Sequence, residues 1–299
     1  MYFVICNLFI MYLLYKIYYV FLRGDKPNKI MLKNKPNHLT LDKYENIDIS
    51  YYYESKNSDK LIICVPGFGG STESYSYYFN KFNDFNFLTL DFFGRGWSSS
   101  VNKKNNLSLF SRQLNFVVNK ITQEKPISSI NFIGTSMGCM IIDHYIKQFV
   151  SNESKINLNK IIFIAPAGKM VSESIFSILA KKPIIGELIV SVMGEKLLDN
   201  FHKKCYNIDM PSYNYRYFIE NHHGYLKSLL STIRHINFTN YNYSVYNKND
   251  LLIINSSADR ITKFKFNNFK DNKIHNFEDL GHSELIKPSL NLIKKFILN

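Results

Sequence analysis

Three side chains far apart in the chain have the types and settings needed for nucleophilic acyl chemistry. Ser136 lies in Gly134-Thr135-Ser136-Met137-Gly138, Asp259 in Ser257-Ala258-Asp259-Arg260, and His282 in Leu280-Gly281-His282-Ser283. A serine hydroxyl is a poor nucleophile at neutral pH, so it needs an adjacent base, itself oriented by a buried carboxylate. A Gly-x-Ser-x-Gly pattern also arises by chance in a chain with 13 glycines. Its flanks must therefore decide.

Those flanks fit. The apolar run Ser129–Ile133 reads as a strand, and Cys139, Met140, Ile141, Ile142, Tyr145 and Ile146 follow with helical spacing. A sharp strand-to-helix turn would hold Ser136 in a strained backbone conformation and lift its hydroxyl above a sheet. Gly134 and Gly138 are expected where any Cβ would strike the neighbouring strand and helix. The Met137 amide, at the start of the helix, is left free for a developing oxyanion. Asp259 directly follows the apolar run Leu251–Asn255, and His282 follows Lys273–Phe277. The order Ser, Asp, His, each on a loop after a strand, is the order this arrangement requires.

Other residues could compete. Asp279 is the rival carboxylate, although it sits three residues before His282 on the same loop. Asp91, in Asp91-Phe92-Phe93-Gly94-Arg95-Gly96-Trp97-Ser98, is expected to cap its own glycine loop. His275 falls within a strand and reads as a satisfied structural histidine. His144, on the helix after Ser136, is expected to face solvent, and His222 and His223 could at most touch substrate.

Strands and helices alternate around these loops. Leu39 to Tyr53, with a turn near Asn46, reads as two antiparallel edge strands. Leu61–Val65, Phe87–Asp91, the Ser136 strand, Ile161–Ala165, Leu251–Asn255 and Lys273–Phe277 read as further strands. Leu107–Ile121 and Leu285–Leu298 have helical spacing. The expected fold class is α/β, a doubly wound, mostly parallel sheet. From Lys169 the strand rhythm stops, and Val171–Leu179, Ile184–Leu198 and Tyr217–Ile236 read as helices, a lid inserted after the sixth strand. The expected organisation is an anchor over 1–22, a linker over 23–37, a core over 38–168, the lid over 169–247 and the rest of the core over 248–299.

The anchor follows from Met1–Leu22, apolar except for Asn7 and Lys16. As a helix this stretch would run about 33 Å, enough to cross a hydrocarbon layer of roughly 30 Å. Arg23, Lys26, Lys29, Lys33 and Lys35 come next, which by the positive-inside rule favours a cytosolic catalytic domain. The alternative is a buried first helix. A cleaved signal fits less well, with no basic leading segment and no small-residue cleavage site before Arg23. The net charge of +13 is spread along the chain with no nucleic-acid-binding motif, so an anionic membrane is the better partner. Cys6, Cys64, Cys139 and Cys205 have neither paired nor ligand-like spacing and read as free thiols, so no metal is expected.

Together these residues resemble the α/β-hydrolase fold, in particular its lid-bearing lipase and lysophospholipase-like branch, the monoacylglycerol lipases and their relatives. The resemblance is carried by Val65-Pro66-Gly67-Phe68-Gly69-Gly70, Asp91 to Gly96, Gly134 to Gly138, Asp259-Arg260 and Gly281-His282, and covers Lys60 to the C-terminus. It implies an oxyanion hole from the amides of Phe68 and Met137 and a mechanism without metal or organic cofactor. Many relatives carry His where this chain has Pro66. A serine at position 136 argues against epoxide hydrolases and haloalkane dehalogenases, which use aspartate.

The expected activity is hydrolysis of a fatty-acyl ester of lysophospholipid or monoacylglycerol type through an acyl-enzyme on Ser136. Phe176, Phe201 and Tyr225, with Leu179, Ile184 and Leu188, are expected to line an apolar substrate groove in the lid. Lys181, Lys182, Lys203 and Lys204 are expected to face lipid headgroups. Packing of the lid onto the sheet would account equally for any one of those apolar residues. Acyl transfer would use the same triad. An aminopeptidase would need acidic lid groups, for which Glu173, Glu187, Glu195 and Glu220 are available. A non-catalytic binding protein would be expected to have lost part of the triad.

Overall fold

The computed structural model describes residues 2–150, 157–170, 175–207, 215–247, 250–262, 269 and 272–298. Eight strands form one sheet: β1 Leu39–Tyr44, β2 Ile47–Glu54, β3 Lys60–Val65, β4 Asn86–Asp91, β5 Ser129–Thr135, β6 Asn157–Ile164, β7 Leu251–Ser256 and β8 Lys273–Phe277. Their order is β1-β2-β4-β3-β5-β6-β7-β8. The first two pairings, β1 with β2 and β2 with β4, are antiparallel, and every later pairing is parallel. The β1–β2 turn is built on Glu45 and Asn46, at φ 48° and 66°, the paired left-handed residues of a two-residue hairpin.

The central strands are buried on both faces, as their unbroken apolar runs require. Two helices, α1 Tyr2–Ile17 and α2 Lys29–Lys33, precede the sheet in the chain. The next two, α3 Leu107–Glu124 and α4 Met137–Phe149, cover one face of it. The other face packs Tyr75, Tyr78, Phe82 and the C-terminal helix Leu290–Leu298. The chain from 282 to 289 makes turns, so this last helix starts five residues later than its apolar spacing suggests.

Between β6 and β7 lie α5 Ile175–Ala180, α6 Ile185–Cys205, α7 Tyr215–Asn221 and α8 Tyr225–His235. The expected single helix Tyr217–Ile236 is thus two, separated around His222, His223 and Gly224. The break has a cause: buried His222 places Nε2 2.7 Å from the Ser98 carbonyl, and its Nδ1 accepts from Gly224 N–H. Buried Arg95 fastens α8 to the loop after β4. Its guanidinium donates to Phe93 O, Ser228 Oγ and Thr232 Oγ1 at 2.8, 2.5 and 2.6 Å.

Helix α1 runs on through a π-helical turn at Tyr18–Leu22. The stretch Ile5–Leu22 has a mean hydropathy of 1.7 and is long and apolar enough to cross a membrane. Most of it is exposed, with Leu13, Lys16, Ile17, Tyr19 and Phe21 half-buried and Val20 buried; an anchor, a core helix and a signal segment all meet this criterion of length and composition. Its far end docks, with Val20 packed among Ala180, Val190 and Leu230. The segment after it is not a free linker. Asn28 N–H donates to Asn221 O at 2.8 Å, Asn28 caps α2, and Met31 is fully buried with its carbonyl accepting from the Trp97 indole. A short polar segment with one well-placed methionine offers no apolar period, so its docking was not visible in the sequence.

Candidate active site

Ser136 stands at the turn between β5 and α4 with φ 54° and ψ −115°, a strained conformation for any residue with a side chain. The surroundings fix it there: Ser136 N–H donates to Ile164 O at 2.9 Å, and its carbonyl accepts from Ala167 and Cys139. The two flanking glycines are required by contact. A Cβ on Gly134 would lie 2.6 Å from Ile142 Cδ1, and one on Gly138 would lie 2.0 Å from the Val65 carbonyl oxygen.

Asp259 and His282 come together from the loops after β7 and β8. His282 Nδ1 lies 2.7 Å from Asp259 Oδ2, and the histidine is 4% exposed. Asp259 is held by three more donors: the amides of Ile261 and Thr262 on Oδ1, and the Thr262 hydroxyl on Oδ2 at 2.8 Å. Burial alone would raise its pKa. The neighbouring His282 and these hydrogen bonds outweigh burial and hold the carboxyl below its ordinary value. With Nδ1–H given to the carboxylate, Nε2 is the basic nitrogen of the imidazole.

Ser136 and His282 both line one cavity of about 1150 Å³. Its walls include Phe68, Trp97, Phe201, Phe218, Leu280 and Ile286, with Glu73, His202, Glu284 and Lys287 as charged or titratable groups. The amides of Phe68 and Met137 have no hydrogen-bond partner among the described residues. The Phe68 ring packs edge-on against Phe201 and Phe238, so its loop touches the inserted helices directly.

The glycine loop keeps its anchorage without a histidine at position 66. Asp91 lies beneath it, accepting from the amides of Thr72 and Trp97 at 2.7 and 3.0 Å and from the Ser50 hydroxyl. Burial dominates at Asp91 and pushes its carboxyl up to about 6. Tyr75 reaches Thr135 Oγ1 at 2.7 Å and the Val65 carbonyl at 3.1 Å.

Several sequence expectations need correction. Tyr225 does not line the cavity; it is 1% exposed, and its hydroxyl donates to the Gly69 carbonyl at 3.3 Å, tying α8 to the glycine loop. Phe201 does line the cavity, whereas the side chain of Phe176 lies outside the described residues. Leu179, Ile184 and Leu188 form no groove beside Ser136 and are exposed. His144 is half-buried with Nδ1 3.0 Å from Ser111 Oγ, because α3 covers that face of α4. His275 is exposed on edge strand β8, against Phe277. His222 and His223 stay outside the cavity, and burial pushes His222 down to about 4. Asp279 is exposed, and the carboxylate on the His282 imidazole is Asp259, while Glu187, Glu195 and Glu220 do not line the cavity. Glu173 lies outside the described residues.

Sequence reasoning missed the fastening of the site to the end of α6. Asn207 accepts from Arg260 Nη2 at 2.9 Å on the Asp259 loop. It also donates to Asp279 O and to Glu284 Oε2 on the His282 loop, at 2.8 and 2.9 Å. Ser283 N–H adds a bond to the Cys205 carbonyl. An isolated asparagine after a helix carries no signal that would single it out.

Among the described residues, no group of three or more His, Cys, Asp or Glu side chains is placed to hold a metal ion. All four cysteines are free, with Cys6 exposed and the others buried.

Residues 60–205 match the model of the α/β hydrolase fold family. No curated protein sequence matches the chain significantly. Solved structures do. An esterase from Exiguobacterium antarcticum superposes with a TM-score of 0.64 at 15% identity, covering 87% of this chain and 99% of that one. A bromoperoxidase from Bacillus anthracis gives 0.66 at 16% identity, covering 87% and 100%. The enol-lactonase from Burkholderia xenovorans gives 0.62 at 13% identity, covering 87% and 100%.

Proposed function

We propose that this chain, which has the α/β-hydrolase fold, is a membrane-attached serine hydrolase that cleaves a fatty-acyl ester. The observation that carries the reading is the 2.7 Å contact of His282 Nδ1 with Asp259, on an imidazole that shares its cavity with Ser136.

In this mechanism His282 Nε2 takes the Ser136 proton as the hydroxyl oxygen attacks the acyl carbonyl. Asp259 keeps the imidazole in the required tautomer and stabilises the imidazolium. The oxyanion forms beside the amides of Phe68 and Met137, each well-placed donor being worth about 3–4 kcal/mol. His282 returns its proton to the leaving alkoxide, and the acyl group stays on Ser136. Water, deprotonated by His282, then releases the acid.

The aromatic and aliphatic walls of the cavity, at about 1150 Å³, suit a long acyl chain better than acetate. Helix α1 supplies the membrane attachment, and the basic residues after it, Arg23 to Lys35, favour a cytosolic site. A monoacylglycerol or lysophospholipid fits both features. The helices between β6 and β7 act as the lid, contributing Phe201, Tyr217 and Phe218 to the cavity wall.

The test is a panel of esters of graded acyl length, with wild type and Ser136→Ala compared in detergent. We expect kcat/KM to rise from acetyl to long chains and Ser136→Ala to lose at least about a thousand-fold. A preference for acetyl would remove the lipid substrate. Undiminished turnover by Ser136→Ala would remove the nucleophile.

A further inference from the structure

The beginning of the inserted helices carries an apolar surface that neither the core nor the cavity uses. Ile175, Ile178, Ile184, Ile185, Leu188 and Val192 are all exposed, Ile175 and Ile184 by about three-quarters. Single exposed apolar residues are ordinary on a protein surface, but a group of six on two adjacent helices and the turn between them is not. None of the six lines the cavity.

Ile184 is the most telling of them. It occupies φ 68° and ψ −54°, and Ile185 N–H donates across it to Pro183 O at 2.8 Å, which makes it the centre of a three-residue γ-turn. A β-branched residue at positive φ is strained, and glycine or asparagine would fit the turn at less cost. Strain that the fold does not need, at an isoleucine 75% exposed, points to a use outside the fold.

What covers this surface is indicated by its neighbours. Helix α1 lies against α6, presenting the half-buried stripe Leu13, Ile17 and buried Val20. Between Ile5 and Tyr15 the other residues of α1 are exposed and, apart from Asn7, apolar, so the membrane-inserting element adjoins the isoleucine surface. The charge agrees. Between Ile175 and Gly194 the one carboxylate is Glu187, and Arg234 neutralises it through two contacts of 2.5 and 2.7 Å. Lys181 and Lys182 immediately precede the γ-turn. Apolar side chains rimmed by lysine fit an anionic lipid interface.

We infer that the α5–α6 turn, led by Ile184, is a second membrane contact that dips into an anionic bilayer beside α1. The inference rests on the reading of α1 as membrane-inserted and adds an attachment point that fixes how the catalytic body sits. Helix α6 then becomes a strut, with its first turn in the lipid interface. Phe201, roughly 24 Å along the axis from that first turn, lies in the cavity wall.

The test uses full-length protein in vesicles of phosphatidylcholine and phosphatidylserine, with brominated lipid as quencher. The chain has one tryptophan, Trp97 in the cavity wall, whose signal is measured on wild type in the same vesicles and subtracted. Ile184→Trp is compared with Asn57→Trp, an exposed site between β2 and β3 at the opposite end of the strands. We expect the Ile184→Trp emission to shift to the blue by about 10 nm or more and to lose at least half its intensity to brominated lipid, with Asn57→Trp unchanged. Protein that floats with the vesicles while Ile184→Trp stays unquenched overturns this inference alone. Protein that stays in the aqueous fraction overturns the anchor as well. A blue shift that depends on protein concentration without lipid assigns the surface to a second copy instead. A second variant, Ile184→Gly, should melt no lower than wild type in detergent. A fall of several degrees would mean that the isoleucine serves the fold.

Discussion

Replacing Gly138 by alanine should disable the site although it touches no reacting atom. The added Cβ would sit 2.0 Å from the Val65 carbonyl oxygen, 2.8 Å from its carbon and 2.9 Å from the Pro66 oxygen. All three are backbone atoms, so no rotamer change relieves them. Real Cβ contacts do not fall below 3.0 Å, so the start of α4 must recede from β3 by at least 1.0 Å. Ser136 and the Met137 amide sit on that first turn and would move with it. A displacement of about 1 Å at reacting groups costs roughly a hundred-fold in rate, and overpacking costs about 1–3 kcal/mol of stability. The assay is kcat/KM on a short soluble ester together with thermal unfolding. Gly194→Ala is the control. Its Cβ would meet only the tips of Val190 and Leu226, at 3.3 Å and beyond, in the middle of α6. Helix propensity should make that change neutral or stabilising by up to about 1 kcal/mol. A Gly138→Ala protein that is folded and fully active would refute the claim that this close approach fixes the nucleophile.

Three further outcomes follow from the geometry. Asp259→Asn should lower kcat by about ten-thousand-fold, because the amide favours the wrong imidazole tautomer; loss of less than ten-fold would make another group the orienter. The folded Asp259 carboxyl lies below its ordinary 3.8, so its stabilisation is present above that pH and is lost only as pH falls through the lower, folded value. Asp91 has the opposite sign: its carboxyl is raised from 3.8 to about 6, so its contribution is full below pH 3.8 and disappears as pH rises through 6. The stability of wild type minus that of Asp91→Asn, read by urea unfolding, should therefore fall by about 2 kcal/mol between roughly pH 4 and pH 6.5. A flat difference would contradict the assignment. Asn207→Ala should lower kcat about ten-fold with KM for a short ester unchanged, since it loosens the Asp259 and His282 loops together. A rise in KM with kcat preserved would mean that Asn207 acts on binding.

Much of this was legible in the chain because local chemistry dictated it. The apolar runs at Leu61–Val65 and Leu251–Asn255 allow little except buried strands, and Gly134 and Gly138 mark a turn that only small residues permit. The loops carrying Asp259 and His282 could be placed because each directly follows a strand. What could not be read depends on partners distant in sequence. Whether Tyr225 faces the cavity or the Gly69 carbonyl depends on the rotation of α8, which the buried guanidinium of Arg95 sets. Leu179, Ile184 and Leu188 have the composition of a groove wall, yet the packing of α1 and α8 leaves them outside. Met31 is buried within a segment whose polarity suggests a tether.

The reaction of the purified protein with a fluorophosphonate, read by intact mass and then by peptide mapping, tests the central claim most directly. One adduct per chain is expected, on Ser136, formed rapidly by wild type, slowed at least about a hundred-fold in His282→Ala and absent from Ser136→Ala. An adduct on another residue, or undiminished labelling of Ser136→Ala, would contradict it.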